Sequence, residues 1–165
     1  MPGDDLLIIG DNPAWAMLAT MTLTAFDPSP WRLSLAGSEI AAARIEGETG
    51  AEPGALVLRL SAAAVRRTAD GMAGYLRPVV LRLALVRCDV GAPDELFGGI
   101  RAARVLQAGR VLDTLPLPGR LDGATQPLVL ELQLSHGTAL RIEAGMLTLA
   151  LAADPATVFR ESCDC

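Results

Sequence analysis

Lysine is absent. All fourteen basic residues are arginine, and nineteen acids outweigh them to give a formal net charge of −5. No stretch concentrates positive charge, which argues against a nucleic-acid binder, because such proteins need a basic stripe to displace condensed counterions. Large rings are also scarce: two Trp, three Phe and one Tyr in 165 residues. The core must therefore be built from Leu, Val, Ile and Ala. No run of roughly 18 or more apolar residues occurs, so no membrane-spanning helix is expected. The start, "MPGDDLLIIG", has acids where a secretory leader carries positive charge, and cytoplasmic synthesis is expected. Three cysteines, Cys88, Cys163 and Cys165, lack the spacing of a disulfide framework, and Cys88 reads as a small apolar residue in a strand.

Catalytic signatures are missing as well. The chain has no phosphate-cradling glycine loop, no H-E-x-x-H and no G-x-S-x-G. The single histidine, His136, sits in an "SHG" turn with no nucleophile or carboxylate placed beside it by sequence, and reads as a turn residue. The acid pairs Asp4-Asp5 and Glu46-x-Glu48 flank glycines and read as solvated surface. Asp89, Asp94 and Glu95 in "DVGAPDEL" lack the alternation of oxygen ligands in a calcium loop. The terminal "CDC" places Cys163 and Cys165 on one side of an extended segment, but a closed zinc site needs about four ligands. No catalytic, cofactor-binding or metal-binding residue is assigned.

What is present is alternation. Proline and glycine punctuate the chain at intervals typical of β-rich folds. Residues 15–26, "WAMLATMTLTAF", alternate threonines with apolar residues, and "WRLSLAG" puts Trp31, Leu33 and Leu35 on one side. "ALVLRLS" alternates Leu56, Leu58 and Leu60 against Val57 and Arg59. "VVLRLALVRCDV" is the strongest strand, and "PLVLELQLS", "TALRIEAG" and "MLTLALA" read as consecutive strands, with turns at His136-Gly137 and near Gly145. Between the third and fourth of these patterns, Ser61 can cap a short helix. Val65, Ala69, Met72 and Leu76 then fall at helical spacing, with Gly71 and Gly74 weakening its second half and Pro78 stopping it. A further helical turn is expected at Asp154-Pro155. Eight to ten strands with one or two short helices predict a mainly β fold over 1–165, an antiparallel β-sandwich or barrel in a single domain.

Arginines on strands, Arg59, Arg82 and Arg87, with Arg66 and Arg67 on the expected helix, can pair with acids of a neighbouring strand or subunit. Residues 55–97 resemble a segment of the short β-rich minor tail or tail-tip (baseplate) proteins of long-tailed bacteriophages and gene transfer agents. The resemblance lies in "LVLRLSAAAVRR", "LRPVVLRLALV" and the acidic loop "DVGAPDELF". It implies a structural subunit of a virion tail, a ring or collar that docks to other structural subunits by homo-oligomerisation, without catalytic residues or cofactor. Residues 113–165 have no counterpart in that pattern. A soluble β-sandwich module for a small ligand or carbohydrate is the alternative, with Trp15, Trp31 and Tyr75 as stacking candidates. An enzyme ranks third.

Overall fold

The computed structural model describes residues 29–47, 54–89, 91–152 and 158–162. The expected strand at 15–26, Trp15, Asp4-Asp5, Glu48, the helical turn at Asp154-Pro155, Cys163 and Cys165 lie outside the described residues. The elements are β1 (Trp31–Glu46), β2 (Ala55–Arg67), β3 (Ala73–Arg77), β4 (Val79–Cys88), a 3-10 turn (Pro93–Glu95), β5 (Gly98–Gln107), β6 (Arg110–Leu112), β7 (Leu115–Leu117), β8 (Gly119–Asp122), β9 (Leu128–Leu134), β10 (Ala139–Leu151) and β11 (Val158–Glu161).

Every strand pairing is antiparallel, and six strands close on themselves in the order β1-β2-β4-β10-β9-β5 and back to β1. The expected mainly β, antiparallel fold is what forms, as a closed barrel with short strands attached as wings. β3 and then β11 extend from β2, β7 from β1, β6 from β5 and β8 from β10. Closure removes most open edges. The last joint is short: β1 meets β5 only through Glu39↔Gly99 and Ile40↔Gly98.

The alternation read from sequence fills the barrel. Leu56, Leu58 and Leu60 of β2 lie opposite Leu83, Leu81 and Val79 of β4. Leu83 and Leu81 meet Leu147 and Leu149 of β10, while Leu130, Leu132 and Leu134 of β9 meet Val105, Ala103 and Ile100 of β5. Apart from half-buried Ala103, none of these residues is more than 3 % exposed. Each buried leucine contributes about 1.5–3 kcal/mol from leaving water, so the interior is a packed core rather than a ligand cavity.

The helix expected from Ser61 does not form. Residues 61–67 continue β2, because Ala62, Ala64, Val65, Arg66 and Arg67 pair with Glu39, Ser34, Leu33, Arg32 and Trp31 of β1. A turn over residues 68–72 then reverses the chain, closed by Arg67 N–H to the Met72 carbonyl at 2.8 Å, with Gly71 at φ +73. Gly71 and Gly74, weak points for a helix, suit this hairpin: one accepts the left-handed backbone and the other makes room for a ring. The turn expected near Gly145 is also absent. Residues 139–151 form one strand, with a register shift at Gly145 relative to β4. Such a bulge bends a strand around a barrel without breaking it.

β1 bends in the same way. Its register on β2 shifts between Ser34 and Glu39, where Gly37 has φ +85. Ser38, the one buried polar side chain among the described residues, repairs the interrupted ladder. Its hydroxyl donates to the Ser34 carbonyl at 2.7 Å and accepts the Ala64 N–H at 2.9 Å.

At the wing end of the barrel, Phe159 of β11 lies flat over Gly74 of β3 and packs against Trp31, ring centroids 4.7 Å apart. The Arg67 guanidinium sits 5.2 Å from the Phe159 ring and 5.9 Å from the Trp31 ring. This cluster fastens the last strand to the first. It also takes Trp31 away from the exposed stacking role considered for it.

Candidate interaction surfaces

The polar residues singled out by sequence are spread over the outside of the barrel. His136 lies in the β9–β10 turn, where its Nε2 donates to the Phe97 carbonyl at 3.1 Å. In the neutral ring Nδ1 must then accept, and the Thr138 hydroxyl is 3.1 Å away. Both nitrogens are occupied in holding a turn against a loop. Cys88 faces inward opposite Ile142 and packs half-buried against the core, as expected of a small apolar residue. Among the described residues no group of three or more His, Cys, Asp or Glu comes together to hold a metal, and no helix is long and apolar enough to cross a membrane.

Six of the fourteen strand arginines form ion pairs among the described residues. Arg82 of β4 and Arg44 of β1 both bind Glu46, Arg44 at 2.6 Å. Their stems cover Val57, which sits between them in register and is 8 % exposed. The Arg82 hydrogen bond, above all, lowers the Glu46 carboxyl below its ordinary value. Arg141 pairs with Glu131 at 2.6 Å and Glu143 at 3.7 Å, Arg87 with Asp89 at 3.7 Å and Arg67 with Asp70 at 3.1 Å. The Met72 backbone N–H, first among the causes, holds Asp70 low. A shallow groove of ≈ 650 Å³ crosses β5, β9 and β10, with Arg104, Glu131 and Arg141 in one row. Its charges alternate in sign and largely satisfy one another.

The wing formed by β1, β2, β3 and β11 differs. Register places Arg32 directly opposite Arg66, and Tyr75 between Ala64 and Arg160; Arg77 and Val158 form the next row. Arg32, Arg66, Arg77 and Arg160 are exposed, and none forms an ion pair among the described residues. Arg66 is steadied by donating to the Gly71 carbonyl at 2.7 Å. Between these groups lies a cleft of ≈ 390 Å³ with a floor of Ala36, Gly37, Ala64, Ala73 and Gly74. Arg32, Arg66 and Tyr75 wall it, with Ser34, Thr114 and Ser162 adding hydroxyls. Like charges directly opposed on a sheet destabilise it, so an anion bound here would relieve a cost that the isolated chain carries.

A complementary feature occupies the β4–β5 loop. Pro93–Glu95 form a 3-10 turn whose Asp94 and Glu95 side chains are exposed and make no ion pair among the described residues. Next to them Leu96 is 2 % exposed and pinned in the core, while Phe97 is 56 % exposed. The Phe97 ring rests on His136 at 5.4 Å, so it is held outward rather than left free to fold back. Sequence had pointed to Asp89, Asp94 and Glu95 together. The structure separates them, since Asp89 joins Arg87 and only the latter two stay on the projection. The basic cleft was not foreseen. Its residues come from three strands, with Thr114 and Ser162 from outside them, and sequence does not reveal the order of those strands in the sheet, although the facing arginines of "WRLSL" and "AVRRT" were a usable signal once β1 and β2 were paired.

No family model, curated protein or solved structure matches this chain.

Proposed function

We propose that the chain is a non-catalytic assembly subunit that works by oligomerising and docking to neighbouring protein subunits. A phage-like tail tip or baseplate is the setting that the resemblance over residues 55–97 implies, with a virion location. The helix included in that resemblance is a strand here, so its support comes from residues 79–97. The observation that carries the reading is the division of labour between inside and outside. The interior is closed and filled with leucine, and charge without an ion-pair partner among the described residues is turned outward, the arginine wing and the acidic projection included.

The test is the mass of the full chain by light scattering across a concentration series. Discrete oligomers are expected. A monomer at every concentration would overturn the reading. A ligand-binding module is the second reading, favoured by Tyr75, 40 % exposed beside the small-residue floor of the cleft. It predicts instead a monomer whose unfolding temperature rises with a glycan or a small anion.

A further inference from the structure

We propose that the acidic projection of one copy, Asp94, Glu95 and Phe97, seats in the arginine cleft of a second copy, joining subunits head to tail. This rests on the assembly reading above and names its contact.

The two surfaces match in chemistry. The projection offers two unpaired carboxylates and one aromatic ring, the cleft two guanidiniums at its wall and a floor without bulky side chains. Arginine can hold a carboxylate through two parallel hydrogen bonds, and the Ala and Gly floor leaves depth for the Phe97 ring beside Tyr75. Burial of an aromatic anchor ringed by charge pairs is how small interfaces gain most of their affinity.

The occupant cannot be the copy's own loop. Leu96 is locked in the core at the end of the barrel where β4 and β9 finish and β5 and β10 begin. There the loop lies against β1 close to Glu39 and Ile40. The cleft takes in Ala36 and Gly37 of the β1 bulge and the stretch beyond it, where β1 starts and β2 ends. Donor and acceptor are different surfaces of one molecule, which makes a heterologous contact that propagates into a ring or a filament.

The experiment uses charge reversal in the full chain, with mass measured by light scattering. One variant carries Asp94→Arg and Glu95→Arg, the other Arg32→Glu and Arg66→Glu. All four positions are exposed, and circular dichroism confirms the fold of each. Each variant alone is expected to associate roughly tenfold or more weakly than the wild type. An equimolar mixture, in which every projection again meets a cleft of opposite sign, should regain assembly. Raised salt should disperse the wild type, because exposed pairs are screened over about 8 Å at physiological ionic strength. Phe97→Ala, which leaves the charges in place, should weaken association without altering its salt dependence. Assembly indifferent to both reversals would overturn this contact while leaving the assembly reading standing. A wild-type chain that never associates would overturn both.

Discussion

Gly74→Ala puts the attachment of β11 to a quantitative test. A Cβ built at Gly74 falls 2.6 and 2.7 Å from two ring carbons of Phe159, and closer still to the Arg160 carbonyl oxygen. Neither contact can be tolerated, so the ring must leave its seat or β11 must shift off β3. Displacing the ring exposes a half-buried phenylalanine, a loss of about 1–1.5 kcal/mol, since full burial is worth about twice that. The contact with Trp31 adds about 0.5–1.5 kcal/mol, and the guanidinium of Arg67 over the ring about 0.5–1 kcal/mol. Replacing glycine by alanine in a strand returns about 0.5–1 kcal/mol of backbone entropy. The net loss is about 2 kcal/mol, or about 4–8 °C in Tm for a chain of this size. Urea unfolding of four proteins (wild type, Gly74→Ala, Phe159→Ala and the double variant) measures it. Phe159→Ala removes the ring and loosens β11, which lets the Arg160 carbonyl yield, so Gly74→Ala should cost less in that background. A neutral Gly74→Ala, or an undiminished cost in that background, would refute the reasoning.

Two further outcomes follow from groups that hold the β1 side of the barrel. Ser38→Ala leaves the Ala64 N–H at the bulge without its acceptor, so chemical denaturation should register a loss of about 1–3 kcal/mol, larger than an exposed serine such as Ser29 would show. Glu46 has a carboxyl lowered below its ordinary 4.5 by Arg82 and Arg44, so its contribution is present above that pH and disappears as pH falls through the lowered folded value. Stability curves of wild type and Glu46→Gln should therefore differ at neutral pH and converge as pH falls through that lowered value; the gap should be small and shrink with salt, because the pair is exposed.

The core was legible because its residues alternate. Leu56, Leu58 and Leu60, or Leu128, Leu130, Leu132 and Leu134, allow one buried face and no helical stripe. "SAAAVRR" was misleading, because alanine favours a helix locally while the site is decided by neighbours. Ala63 is fully buried, and Ala64 lies 3.8 Å from where a Cβ of Gly37 would sit, so small residues are needed for close strand packing. β propensity reflects such surroundings more than the backbone itself. Gly145 looked like a turn because a bulge and a turn share the same residue. The arginine wing stayed hidden for a different reason. Arg32 and Arg160 are far apart in the chain, and only the order β1-β2-β3-β11 brings them onto one wing.

The joint between β1 and β5 has a mechanical consequence. The other five seams of the cylinder are long zips, whereas this one is a two-rung clasp at Glu39 and Ile40. Local opening is expected first at the clasp, which lies under the very loop that carries Asp94 and Phe97. Were that loop gripped by a neighbouring copy, as proposed above, the clasp would be held shut and each link tempered by its joining.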